Sequence, residues 1–308
     1  MLKVIIISMS INFLLLAEAI LPIPLEVKYD KKRASLGKKL FFDSGLSKDG
    51  SISCASCHHL PGSGADVTPF SFGVNGTEGG IHSPTVLNSA FNFVQFWDGR
   101  AKNLQDQAKQ PISNPLEMAS SLPAALAYVK TNPAYLQAFN ASYEEGLTEE
   151  SLVDAIAEFE KALYTPNAPF DKYLRGDKTA LNKEEKEGYT LFNEYGCISC
   201  HNGINIGGNM YQLFGALRLY QSKKDNLGRF NVTKKESDKY FFKVPSLRNI
   251  ALTPPYLHDG SAVTLKEAIT KMMEYQVGMI ANAEDIDKIE AFLKTLTGDS
   301  PSILDESQ

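Results

Sequence analysis

Cys54-Ala55-Ser56-Cys57-His58 and Cys197-Ile198-Ser199-Cys200-His201 decide the fold, and between them they hold all four cysteines of the 308 residues. Each has the C-x-x-C-H spacing of covalent haem attachment. Two thioethers hold one edge of the porphyrin while the adjacent histidine lies beneath the iron as proximal ligand, so the residue order follows from the shape of one macrocycle. A zinc site, a thioredoxin-like redox pair and a pair of disulfides are the competing readings. A Cys2His2 zinc site places its histidines at their own spacing instead of fusing one to each cysteine pair. With the motif present twice, the sequence implies two c-type haems.

A hydrophobic content of 43% and a charged content of 22% are those of a soluble globular protein, long enough for two ordinary domains. The formal charge of −5 argues against nucleic acid and supplies no polybasic surface for a membrane. The N-terminus opens Met1-Leu2-Lys3, runs apolar from Val4 to Ala17 and reaches the small-x-small pattern Ala17-Glu18-Ala19. This predicts a secretory signal peptide over residues 1–19, the alternative being an uncleaved anchor. The apolar run is shorter than the about 20 residues of a membrane span. The mature chain is expected in the bacterial periplasm.

The repeat extends beyond the haem motifs. Gly-x-x-Leu-Phe precedes each of them, at 37–41 and 188–192. After the first come Pro84, Asn88, Trp97-Asp98-Gly99 and Leu104; after the second come Pro245, Asn249, His258-Asp259-Gly260 and Leu265, at identical offsets. Two homologous domains in tandem account for this. Leu36, Leu40 and Phe41 share one helical face, and Asn182 with Glu185 has the pattern of a capping box. Apolar residues at 152, 153, 156, 159 and 163 predict an amphipathic helix, and Ile286, Ile289, Phe292, Leu293 and Leu296 predict another, stopped by Gly298. Thr165-Pro166-Asn167-Ala168-Pro169 breaks the first of these, which puts the domain boundary at 165: an N-terminal haem domain over 20–165 and a C-terminal one over 166–308. The expected fold is mainly α, two tandem cytochrome c-like domains with long irregular loops.

With the tandem motifs, Phe96-Trp97-Asp98-Gly99-Arg100, Asn114-Pro115-Leu116-Glu117-Met118 and Pro255-Tyr256-Leu257-His258-Asp259-Gly260 in order, the chain resembles the bacterial dihaem cytochrome c peroxidases from about Leu36 to Gly298. The resemblance implies reduction of hydrogen peroxide to water with electrons from a small periplasmic donor, a c-type cytochrome or a cupredoxin. It makes His58 the proximal ligand of the peroxidatic haem and His201 that of the electron-transfer haem, with Met272 as the latter's second ligand and Met273 and Met279 as close rivals. Met/His ligation raises a haem's potential. It assigns Glu117 to proton transfer at the peroxidatic haem, Gln107 to orienting peroxide or water, and Trp97 to the space between the haems. One carboxylate within reach of both peroxide oxygens can take a proton from one and return it to the other. His258 is expected to pack or hydrogen-bond, and His59 to point away from the iron. A homodimer is compatible with the sequence.

The chain departs from the family at two places. Many members carry a distal histidine that blocks the peroxidatic haem; the matching residue here is Val74, which cannot ligate iron. His82, the one nearby histidine, is the candidate for a displaced block. His82 also stands where the family has an asparagine that helps hold an interdomain calcium; Thr253 and Pro255 match the positions that give that ion backbone carbonyls, and imidazole is a poor ligand for it. Two other functions compete with the peroxidase: a dihaem oxidase acting on residues of a partner protein, in which a tyrosine such as Tyr275 would replace the methionine ligand, and a plain dihaem electron carrier.

Overall fold

The computed structural model describes residues 19–305, so the expected signal peptide lies, but for Ala19, outside the described residues. Ten α-helices carry the fold among them. They are α1 (Lys31–Phe42), α2 (Leu104–Ser113), α3 (Leu122–Lys130), α4 (Pro133–Ser142), α5 (Glu149–Ala162), α6 (Pro169–Leu174), α7 (Lys183–Glu194), α8 (Phe230–Thr233), α9 (Leu265–Lys271) and α10 (Ala283–Lys294). One antiparallel hairpin, β1 (Tyr211–Leu213) with β2 (Phe241–Lys243), pairs Gln212 with Phe242. No described helix is long and apolar enough to cross a membrane.

Two helix pairs repeat one design. Asp30 starts α1 by accepting the N–H groups of Lys32 and Arg33, and Asn182 starts α7 through the reciprocal box with Glu185 predicted from sequence. Each helix then needs a glycine in mid-course because its partner comes so close. A Cβ on Gly37 would lie 1.8 Å from the Ala155 carbonyl oxygen of α5, and one on Gly188 would lie 1.9 Å from the Lys288 carbonyl oxygen of α10. One turn further, Phe41 meets Phe159 and Phe192 meets Phe292, both at 5.2 Å between ring centres. Each pair is the spine of its own core: Leu40, Ile156 and Phe159 in the first, Phe192, Ile289 and Phe292 in the second.

The domains meet through residues that occupy equivalent places in the two repeats. Asn88 and Asn249 both adopt φ 59°, and both donate their side-chain amides to the hydroxyl of Thr165, at 2.8 and 2.9 Å. The His82 N–H donates to the His258 carbonyl at 2.9 Å while the Lys243 N–H donates to the Trp97 carbonyl at 2.7 Å. Since Lys243 is the counterpart of His82 and His258 that of Trp97, the two bonds are reciprocal, the pairing a two-fold relation produces.

The chain ends are exchanged between the domains, a feature that the division at 165 does not contain. Ile20 bridges Gly203 and is buried in the second core. At the other end Ile303 enters the first core, and Lys38 of α1 donates to its carbonyl at 2.8 Å. A buried ion pair secures the N-terminal crossing: Arg248 bonds Asp171 at 2.6 Å, the Leu21 carbonyl at 2.8 Å and the Ile204 carbonyl at 3.0 Å.

Candidate active site

Cys54, Cys57 and His58 line one cavity with Gln107, Glu117 and Trp97. The sequence separates these residues by up to 63 positions, and α2 with its following turn brings them together. The backbone amide of His58 is bonded to the Cys54 carbonyl, which folds the motif into a tight turn, and its ring Nδ1 is held by the Gly64 carbonyl at 3.1 Å. That contact fixes the tautomer with Nδ1–H donating and leaves Nε2 as the free ligand nitrogen. Burial pulls the His58 pKa down and pushes the Cys54 thiol up to about 12, so the unliganded side chains are neutral.

In the same lining, Glu117 is half-buried and accepts from the Asn114 amide at 2.6 Å. Burial raises its pKa, while the Asn114 bond and the charge of Arg100 act in the opposite sense. The backbone behind it is fixed by a 2.8 Å bond from the Val74 N–H to the Glu117 carbonyl. Val74 is buried there, and Gly73 is the residue of that loop that lines the cavity. His82 also lines the cavity, with Nδ1 against the Thr68 carbonyl at 3.1 Å; burial keeps its pKa low and the ring neutral.

Trp97 bonds the His82 carbonyl through its indole N–H at 2.9 Å and meets His258 edge to face, 6.2 Å between ring centres. The residues before them, Phe96 and Leu257, take left-handed φ of 67° and 73°, an unusual conformation for large side chains, repeated at equivalent positions. Those turns aim the two aromatics at the domain boundary. His258 stacks on Phe242 at 4.4 Å and bonds Ser222, and burial lowers its pKa to about 4; it packs and hydrogen-bonds. His59 turns to Asp66, 3.8 Å away.

The second motif repeats the first. Cys197, Cys200 and His201 form the same turn, and the His201 Nδ1 is held by the Ile206 carbonyl at 3.2 Å. Among the three methionines, Met273 is buried in the second core and Met279 is 48% exposed, whereas Met272 stands half-buried where α9 passes into a single π-helical segment over Met272–Val277. Tyr275 of that segment packs its ring on Tyr220 at 5.1 Å. Thr253 and Pro255 flank Pro254, and the Thr253 hydroxyl bonds the Ile250 carbonyl.

Residues 31–179 match the family model described as di-haem cytochrome c peroxidase, and residues 185–297 match that of cytochrome c. The cytochrome c551 peroxidase of Nitrosomonas europaea is 48% identical over 285 residues, 92% of this chain and 85% of that one. The chain belongs to the di-haem cytochrome c peroxidase family. Another relative is the cytochrome c peroxidase Ccp of Escherichia coli, 47% identical over 285 residues, 91% of this chain and 61% of that longer one. The crystal structure of a MauG-like protein associated with microbial copper homeostasis superposes with a TM-score of 0.76 at 26% identity, covering 96% of this chain and 97% of the other.

Two c-type haems are this family's cofactors, and the residues fit them. Each site offers two thiols, and an imidazole whose second nitrogen is already tied to a carbonyl. The first adds a cavity with a carboxyl group, Glu117, in its lining. Sequence reasoning missed two members of that lining. Arg100, paired with Asp98 at 3.1 Å, acts on Glu117 by its charge, and Glu160 of α5 lines the cavity with its Oε2 lacking any partner. Arg100 closes the motif Phe96-Trp97-Asp98-Gly99-Arg100; Glu160 is detectable only by aligning the repeat helices, where its counterpart is apolar.

Proposed function

We propose that the chain is a periplasmic peroxidase that reduces hydrogen peroxide to two waters, taking two electrons and two protons. Cys197, Cys200, His201 and Met272 would hold the haem that accepts electrons from a small c-type cytochrome or cupredoxin. The haem held by Cys54, Cys57 and His58 supplies the redox-active iron. The observation that carries this reading is that Glu117 and His58 line one cavity.

The rest follows from the chain's own groups. Asn114 and the fixed backbone at Val74 hold Glu117 in one orientation, and burial gives its carboxyl a proton affinity above that of a surface carboxylate. Such a group accepts a proton from one peroxide oxygen and returns it to the other. Gln107 faces the same space and can orient peroxide or water. Trp97 meets His258 across the domain boundary, edge to face with 6.2 Å between ring centres. Val74, which cannot ligate iron, takes the place of the usual blocking histidine, and on this reading the peroxidatic site is open; His82, its Nδ1 held by the Thr68 carbonyl, is the other imidazole of the cavity lining.

Electron paramagnetic resonance of the fully oxidised, haem-loaded protein, combined with peroxide turnover before and after one-electron reduction, tests the reading. A high-spin ferric signal with turnover in the oxidised enzyme is expected. Two low-spin signals with turnover only after reduction would overturn the open site, and no peroxide consumption in either state would overturn the peroxidase.

A further inference from the structure

Glu160 is the one acid in the wall of the first haem cavity that the proton-transfer reading does not use. It is 3% exposed, and its Oε2 has no hydrogen-bond partner. Phe41, Ile52, Cys54 and Ile156 of the same lining carry no charge, and burial alone acts on the Glu160 carboxyl. The repeat shows that the fold does not require an acid there. Ala155 and Phe159 lie against Gly37 as Lys288 and Phe292 lie against Gly188, which sets Glu160 opposite Leu293, buried in the second core. A buried carboxyl without a partner costs stability, so its retention in one repeat only points to the group bound there.

We propose that Glu160 sets the potential of the first haem by taking up a proton when that haem is reduced, and that Leu293 leaves the second haem without this coupling. The inference needs haem at Cys54, Cys57 and His58 and does not depend on peroxide as substrate. Ferric haem becomes ferrous by gaining one electron from the small donor protein or the second haem. The Glu160 carboxylate gains one proton from solvent and becomes the neutral acid. Loss of the haem's positive charge raises the carboxyl's proton affinity, and the ionised carboxylate conversely favours the ferric state.

Burial alone raises the Glu160 pKa, to about 8. The charged groups on the elements around it are engaged elsewhere. On α1, Arg33 pairs with Asp154 and Lys38 bonds the Ile303 carbonyl. On α5 itself, Glu158 pairs with Lys161. On α2, Asp106 accepts the Lys102 N–H while Lys109 is half-exposed, and on α3 Lys130 is exposed. Elsewhere in the lining, Glu117 is bonded to Asn114, Arg100 to Asp98, and the rings of His58 and His82 to Gly64 and Thr68.

The test is a spectroelectrochemical titration of both haems in the full haem-loaded chain between about pH 5 and pH 9. The first haem's potential is expected to fall with rising pH by up to about 59 mV per unit, one proton per electron, while the second stays flat over the same window. Glu160→Gln should remove the slope and hold the first haem near its low-pH potential. Glu160→Leu, which installs the residue found in the second repeat, should do the same and guards against one variant failing to fold. A slope of unchanged size in either variant, or no slope in the parent protein, would overturn the proposal.

Discussion

The Trp97 and His258 rings, equivalent in the two repeats, meet edge to face with 6.2 Å between their centres. Each residue's backbone carbonyl also accepts from the other repeat, Trp97 from Lys243 and His258 from His82. The contact between the haem domains is therefore built from the repeat itself, and the one tryptophan of the chain occupies its first-domain half. Trp97→Phe keeps an aromatic ring but orphans the His82 carbonyl, at a cost of about 1 kcal/mol. Both haems should remain attached, and passage of an electron from the second haem to the first should slow. Stopped-flow absorption of each haem after a pulse of reductant measures it; an unchanged transfer rate would remove Trp97 from the route.

Glu117 gives a prediction with a sign. It must be ionised to accept a proton, and burial puts its pKa above the ordinary carboxylate range. Turnover should therefore rise with pH through that raised value. Glu117→Gln should abolish this limb and lower turnover by about 10² to 10⁴-fold with haem content unchanged. Asn114→Ala removes a bond to the charged form and should move the limb to higher pH. A glutamine variant that keeps both rate and limb would end the proton-transfer assignment.

The Arg248–Asp171 pair is buried on both sides, with relative exposures of 1% and 0%, and also carries the Leu21 carbonyl. Arg248→Met leaves Asp171 ionisable without its cation, and should cost roughly 3 to 5 kcal/mol in denaturant unfolding. Residues 20–23 lose an anchor in the same change, so limited proteolysis at this segment should accelerate. Equal midpoints for variant and parent would contradict this.

Gly188→Ala tests how closely the helices must approach. The added Cβ would sit 1.9 Å from the Lys288 carbonyl oxygen, so α7 and α10 must separate, at a cost of at least about 1 to 3 kcal/mol. Gly37→Ala should behave alike against α5. Thermal unfolding that leaves either variant unshifted would show the packing to be looser than described.

Much of this was legible in the sequence, for identifiable reasons. The helix starts at Asn182 and the apolar faces of α1, α5 and α10 announce themselves locally, through capping residues and periodicity. The haem motifs carry their chemistry in five consecutive residues. The exchange of chain ends was not legible, because Ile20 and Ile303 look like any apolar residue near a terminus until their partners across the fold are known. Glu160 was hidden for a related reason: on the helix surface it looks like one acid in the charged run Glu158-Phe159-Glu160-Lys161.

The methionine assignment can be separated from packing. Met273 is buried in the second core, so Met273→Ala should destabilise the domain by about 2 to 5 kcal/mol while leaving the second haem's coordination alone. Met272 is half-buried at the start of the π-helical segment, so Met272→Ala should cost less in packing. It should nonetheless abolish the sulfur-to-iron charge-transfer band and lower the second haem's potential, since thioether ligation favours the reduced iron. Because the two residues adjoin, the pair of variants distinguishes ligand from filler within one turn of chain. Loss of the band in the Met273 variant alone would move the ligand by one residue, and retention in both would exclude them together.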